Sequence, residues 1–403
     1  MNKTQKLFTQ IATIMAPPPE LTVSEWADNY RFLSAESSAE PGKWNTDRAP
    51  YQREIMNAVN DPETETIAVM TSSQVGKTEI INNIIGYYVA YDPAPMLLVQ
   101  PTEAMAQAYS KDRLAPMIRD TPVLTDKISE VKAKDSSNTQ SHKKFPGGHI
   151  SLVGANAPSS LASRPIRILL ADEVDRFPVS AGNEGDPLSL AAKRTKTFWN
   201  KKKIYVSTPT VKEASRIESE YQDSTQEQWC LSCPSCGYFQ PLRWAQIRFE
   251  DVTMECKYCK ENHTEIEWKD RPGEWIAGAD HNGKRGFHLN ALASPWETWG
   301  NIISDFKDAK ARGKDVLKTW VNTSLGESWE DDTPDVEEEM LMKRRERYHA
   351  ELPKGVLLLT AAVDVQDDRL EVEVVGWGAG KESWGITYQQ FYGEQIKKPC
   401  GIS

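Results

Sequence analysis

Residues 66–78 read TIAVMTSSQVGKT, an apolar run passing through a polar loop into a helix-forming stretch. The first five residues have the β-branched, buried character of a strand, and a helix is expected from about Lys77. Between them Thr71, Ser72, Ser73, Gln74, Val75, Gly76, Lys77 and Thr78 have the spacing of a phosphate-binding loop. In such a loop, backbone N–H groups and the positive end of the following helix hold phosphate oxygens. A lysine, here Lys77, neutralises the β and γ phosphates of ATP, and a hydroxyl, here Thr78, binds Mg2+. Thr71 stands where the usual pattern has glycine, so on its own the stretch fits an ordinary strand-to-helix turn equally well.

Downstream, residues 167–173 read RILLADE, a second buried-looking strand that ends in two carboxylates. Asp172 is suited to the Mg2+ held by Thr78. Glu173 is suited to polarising an attacking water, since phosphoryl transfer relies on positioning and charge stabilisation. The next strand-like run, 204–207, ends in Ser207 and Thr208, a hydroxyl pair able to sense the γ phosphate and couple hydrolysis to movement. Upstream, Tyr51 and Gln52 begin a short helix and are candidates for reading the adenine ring by stacking and amide hydrogen bonds. Arg164 is the first candidate for an arginine finger; Arg167 and Arg113 are alternatives. Further strand-like runs at 96–100 and 149–154 alternate with helical stretches, which predicts an α/β fold with a mainly parallel central sheet, a P-loop NTPase.

The chain has 403 residues and six cysteines, and its formal net charge is −10. That length predicts more than one domain: a prelude at 1–60, an ATPase core at 61–229, a cysteine module at 230–265, a connection at 266–329, a charged linker at 330–355 and a further domain from 356. An acidic chain can still bind DNA through a local basic groove. The run 193–203 holds Lys193, Arg194, Lys196, Lys201, Lys202 and Lys203, and is one candidate surface. No stretch reaches the roughly 18 apolar residues of a membrane span. Five cysteines fall within 230–259, and in a reducing compartment such clustering points to metal. Cys233, Cys236, Cys256 and Cys259 have the Cys-x-x-Cys…Cys-x-x-Cys spacing of a closed, structural Zn2+ site. Cys230 forms a competing Cys-x-x-Cys with Cys233, so the spacing leaves the ligand register open.

Several stretches resemble one family. They are TVSEWADNYRFL (22–33), RAPYQREIMNAV (48–59), TSSQVGKTE (71–79), RPIRILLADEVDRFP (164–178), YVSTPT (205–210), CPSCG (233–237), WVNTSLGESWE (320–330) and LLLTAAVDVQDDRLEVEVVGWGAGKESWGI (357–386). Together they resemble the large terminase subunits of lambda-type phages over nearly the whole chain. The resemblance implies an ATP-driven translocase of double-stranded DNA joined to a nuclease. It would act in the host cell cytoplasm with a small terminase subunit and the portal protein of the procapsid, as an oligomer when assembled. It also implies that the runs 356–363 and 370–377 open a ribonuclease-H-like domain in which Asp364 binds catalytic Mg2+ or Mn2+. Two-metal cleavage needs further carboxylates, which the resemblance places beyond residue 403, so this chain is expected to cut DNA poorly by itself. Two other readings fit the motifs: a zinc-containing DNA-binding protein with a vestigial nucleotide site, and a superfamily 2 helicase, which needs a second motor half not found here.

Overall fold

The computed structural model describes residues 20–128, 138–330, 342, 351–365 and 369–392. It divides into two compact units, residues 1–331 and 332–403.

The first unit is organised on a ten-stranded sheet. In chain order its strands are β1 (Thr66–Thr71), β2 (Pro95–Gln100), β3 (His142–Phe145), β4 (Gly148–Gly154), β5 (Ile168–Asp172), β6 (Lys202–Ser207), β7 (Glu227–Ser232), β8 (Phe239–Pro241), β9 (Gly273–Ile276) and β10 (Lys284–Leu289). Their order across the sheet is β8-β7-β10-β1-β6-β5-β2-β4-β3, with β9 also paired to β7. Strands β7, β10, β1, β6, β5, β2 and β4 run parallel, and β3, β8 and β9 are antiparallel additions. Between β1 and β2 the chain crosses over through the helix Lys77–Ala90.

Parallel strands are covered on both faces, so they read as continuous apolar runs whose alternate residues enter different cores. Ile67 and Val69 of β1, Ile168 and Leu170 of β5, and Ile204 and Val206 of β6 pack with Ile80, Ile81, Ile84 and Ile85 of the crossover helix. Their neighbours Ala68, Met70, Leu169, Ala171 and Tyr205 enter a second cluster with Leu161, Phe177 and Leu188. A third cluster joins Tyr51 and Val75 to Trp229, Cys233, Cys256, Trp268, Trp299 and Trp320. The cysteine-bearing turns therefore share a core with the segment around the phosphate loop.

The basic run is largely consumed by the fold. Lys201 and Lys203 pair with Glu65 at 3.1 and 2.6 Å, and the buried Lys202 ammonium donates to the backbone carbonyls of Asp61 and Thr64. Lys193 and Lys196 remain exposed, so the phosphate-contacting surface suggested for the whole run shrinks to its first half. Of the expected charged linker, Glu330 pairs with Lys212 at 2.8 Å, while 331–341 and 343–350 lie outside the described residues.

The second unit contains an antiparallel sheet of three strands, β11 (Leu358–Val365), β12 (Arg369–Trp377) and β13 (Ser383–Tyr392). Two of them fall on the apolar runs singled out in the sequence, 356–363 and 370–377. The third, with its alternating pattern interrupted by polar residues, was not foreseen.

Candidate nucleotide-binding site

The carboxyl ends of parallel strands are where α/β sheets bind ligands, and three motif-bearing strands, β1, β6 and β5, lie side by side. Lys77 opens its helix behind Gly76, whose backbone is left-handed at φ 83°. A Cβ at Gly76 would collide with the Gln52 amide. The first N–H groups of a helix have no acceptor within it, which leaves this turn open to an anion. The loop is gripped from both sides. Ser72 N donates to Leu289 O at 2.9 Å and Ser73 N to Thr323 O at 2.8 Å, with Ser73 Oγ on the same carbonyl at 3.0 Å. From the other side, Tyr51 OH and Gln52 Nε2 donate to Val75 O at 3.2 and 3.1 Å. Thr71 pairs with Leu289 in the ladder between β1 and β10. As an ordinary extended strand residue it needs no glycine, which explains the departure from the usual pattern.

The Lys77 ammonium lies 3.6 Å from Glu173 Oε1 and donates to Thr208 Oγ1. Burial pushes its pKa down, opposed by the charges of Glu173 and Asp172. Asp172 accepts from Gln100 Nε2 at 3.0 Å, and burial pushes its carboxyl up to about 6. Glu173 has φ 55° and ψ 49°, a conformation that costs a non-glycine residue and accumulates at functional sites. Its Oε2 is buried without a hydrogen bond, 3.6 Å from Arg176 Nε. Ser207 Oγ accepts from Asp175 N at 3.3 Å, so the end of β6 touches both the lysine and the turn after Glu173. A cleft of about 570 Å3 beside these groups is lined by Thr78, Gln100, Tyr109, Asp112 and Arg113.

Lys77, Thr78, Asp172, Glu173, Ser207 and Thr208 thus come together around the loop. Tyr51 does not offer an open ring: it is 1% exposed, set edge-on to Trp229, and supports the loop through its hydroxyl. Of the arginines, Arg167 is committed to Asp92 at 2.9 and 2.6 Å. Arg164 is exposed, 3.3 Å from His142 Nε2 on the edge strand β3, and is not brought to the loop. Arg113 lines the cleft and donates to Ser37 O at 2.8 Å. Sequence reading missed Gln100; the only available signal was a polar residue closing the apolar run PMLLVQ at the same strand edge.

The cysteine sulfurs of Cys233, Cys236, Cys256 and Cys259 all lie within 4.8 Å of one another. Cys233 and Cys259 are 3.7 Å apart, and Cys236 and Cys256 3.8 Å. A tetrahedron of thiolates about 2.3 Å from Zn2+ has edges of about 3.8 Å, so this donor set fits that ion. Cys230 stands outside the set, with Sγ 3.5 Å from Gln228 O.

In the second unit, Asp364 on β11 faces Glu371 on β12 in register, which places both on one face of the sheet. The Glu371 carboxylate is held by Arg369 Nε at 2.6 Å and Tyr388 OH at 2.6 Å. Hydrogen bonds from Tyr388 and Arg369 hold its pKa below the usual carboxylate range. Asp367 and Asp368 lie outside the described residues.

Two family models match the chain: the ATPase domain of phage terminase large subunit gpA over residues 38–275, and the gpA endonuclease domain over residues 284–400. The chain is 29% identical over 418 residues to the large terminase subunit of Enterobacteria phage P21. It is 30% identical over 419 residues to that of Escherichia phage lambda. Each match covers 95% of this chain and 64% of the relative, so the chain spans under two thirds of their length. Among solved structures, the large terminase ATPase domain of Thermus phage P74-26 gives a TM-score of 0.41 at 12% identity, covering 70% of this chain and 97% of that one. The large terminase of a second, thermophilic bacteriophage gives 0.40 at 13% identity, covering 85% and 68%. These two likenesses are distant and support no residue-level comparison. The two family models, with the relatives at about this identity over 95% of its length, place the chain in the phage terminase large subunit gpA family.

Proposed function

We propose that the chain is the motor of DNA packaging: an ATPase that moves double-stranded DNA into a procapsid. The observation carrying this reading is the meeting of Lys77, Thr208, Glu173 and Asp172 at the ends of three adjacent parallel strands. The Gly76 cradle, closed to any side chain, and the buried atoms Gln52 Oε1, Ser72 Oγ and Glu173 Oε2, none of which has a hydrogen bond, suit a nucleotide. When bound, Mg2+ withdraws charge from the phosphate oxygens. Thr78 and Asp172 would hold that ion, and the amides of residues 71–78 would cradle the phosphates. Lys77, now neutralised by Glu173, would turn to the β and γ oxygens, releasing Glu173 to polarise a water. Thr208 exchanges its bond to Lys77 in the same step, and Ser207 transmits the change to the turn held by Asp175. Gln52 would read the base through its amide. Arg164, exposed and with its guanidinium 3.3 Å from His142 on the edge strand β3, would serve the nucleotide of a neighbouring subunit, as arginine fingers supplied in trans do.

The four clustered cysteines would hold structural Zn2+ in a ribbon-like module over 230–265. Asp364 would bind Mg2+ or Mn2+ in a ribonuclease-H-like nuclease domain. The partners of this reading are double-stranded DNA, a small terminase subunit and the portal protein, met in the host cell cytoplasm by an oligomer of the chain. Among the described residues no helix is long and apolar enough to cross a membrane. The test is the rate of ATP hydrolysis with and without linear double-stranded DNA. Stimulated turnover abolished by Lys77→Ala supports the motor. Metal-dependent DNA binding with no turnover supports instead a zinc-bearing DNA-binding protein.

A further inference from the structure

With Tyr51 closed into the core, the adenine face of the site lacks the aromatic that sequence reading assigned to it. The structure holds another. Trp296 is 42% exposed, an unusual state for an indole held so firmly. Its backbone N donates to Ser294 Oγ at 3.3 Å. The Lys269 ammonium clamps the same loop through Ser294 O at 2.6 Å and Glu297 O at 2.9 Å. Thr298 caps the helix that follows. The indole also lies beside the Glu40 carboxylate, and the Arg48 guanidinium sits over the ring at 5.8 Å. Arg48 is fixed in turn by Glu40, at 2.9 to 3.2 Å.

The place where this ring is held matters. The Trp296 Cη2 atom lies 3.7 Å from the point a Cβ would occupy on Gly76, and the Gln52 amide borders the same point. Gln52 gives its Nε2 hydrogen to Val75 O, leaving Oε1 buried and unpartnered. An exposed, immobilised aromatic thus stands beside the phosphate loop and beside an unsatisfied acceptor. Stacking on such a ring costs little entropy, because the platform is already ordered.

We propose that the indole of Trp296, held by Arg48 and Glu40, is the platform on which the purine of the bound nucleotide stacks. This rests on the nucleotide-site reading above. It assigns base binding to a residue some 220 positions away from Lys77 in sequence and leaves Tyr51 the role of loop support.

The experiment is equilibrium titration of the purified chain with Mg·ADP and, separately, with Mg·tripolyphosphate, which has no base. Wild type, Trp296→Ala and Trp296→Phe are compared. Loss of base stacking should weaken ADP roughly tenfold or more in Trp296→Ala, with Trp296→Phe close to wild type and tripolyphosphate unchanged throughout. In turnover the same alanine variant should raise KM and leave kcat in place. Wild-type ADP affinity in Trp296→Ala overturns the inference. So does an equal loss of ADP and tripolyphosphate, which would mean that Trp296 merely shapes the loop. If wild type binds neither ligand, the nucleotide reading itself fails.

Discussion

Gly326 supports the phosphate loop from more than 250 residues away in sequence, and replacing it tests that support. Its backbone is left-handed, φ 63° and ψ 30°. A methyl group there would stand 2.6 Å from Ser72 N, 2.8 Å from Thr71 C and 3.0 Å from Leu289 O. All three are backbone atoms at the β1–β10 edge and cannot rotate aside as a side chain would. The left-handed conformation costs an L-residue about 1–2 kcal/mol, and overpacking adds about 1–3 kcal/mol. Gly326→Ala should therefore lose about 2–5 kcal/mol of stability. Gly182→Ala is the control: its φ is 56°, and its one close neighbour among the described residues, Pro158 Cγ, is 3.7 Å away, an ordinary contact. It should lose the conformational part alone, about 1–2 kcal/mol. Urea unfolding of both variants measures the difference, and ATP titration should show weakened binding in Gly326→Ala only, because Ser72 opens the loop. Equal stabilities for the two variants, within about 0.5 kcal/mol, would refute the claim that Gly326 braces the loop by close backbone approach.

Three further outcomes are expected. His288 is buried, with Nε2 3.0 Å from Gly326 O, and burial pushes its pKa down from 6.5 to about 4. A histidine held neutral in this way contributes stability that is fully present above pH 6.5 and lost as pH falls through about 4. The loss amounts to about 3 kcal/mol, and His288→Gln should flatten that part of the stability–pH curve. At the cysteine turns, Cys256→Ser should abolish bound zinc, whereas Cys230→Ser should keep one ion per chain by elemental analysis; zinc loss in Cys230→Ser would move the ligand register. On the basic run, Lys193→Ala with Lys196→Ala should lower the salt dependence of DNA binding. The already neutralised Lys201 and Lys203 should contribute nothing to it, which a salt titration of each double variant would check.

The central sheet was legible because its logic is local. Ile67 and Val69 alternate with Ala68 and Met70, and each strand announces itself by its own residues. The grouping of the candidate residues was legible for the same reason, since Asp172, Glu173, Ser207 and Thr208 close apolar runs and Lys77 follows the loop after another, and in a parallel sheet those ends converge on one edge. What was hidden depends on partners remote in sequence. Nothing in the run 193–203 reveals Glu65 just ahead of β1, so its charge looked free. Tyr51 precedes a helix as an adenine-reading residue would, yet its burial is decided by Trp229 and Trp275. Trp296 and Gly326 reach the loop only through the return of the chain along β10. The cysteine register was open in sequence because two Cys-x-x-Cys spacings overlap, and the geometry separates them because β7 ends at Ser232 and carries Cys230 inside the sheet.

The most direct test of the account is single-turnover ATP hydrolysis by Glu173→Gln in the presence of linear double-stranded DNA, with ATP affinity measured on the same preparation. If Glu173 polarises the attacking water, the variant should bind ATP at least as tightly as wild type, because Lys77 loses a competing carboxylate. Its hydrolysis rate should fall about 100-fold or more. Wild-type hydrolysis in Glu173→Gln would contradict the assignment, and with it the claim that the ends of β1, β5 and β6 form a working ATPase centre.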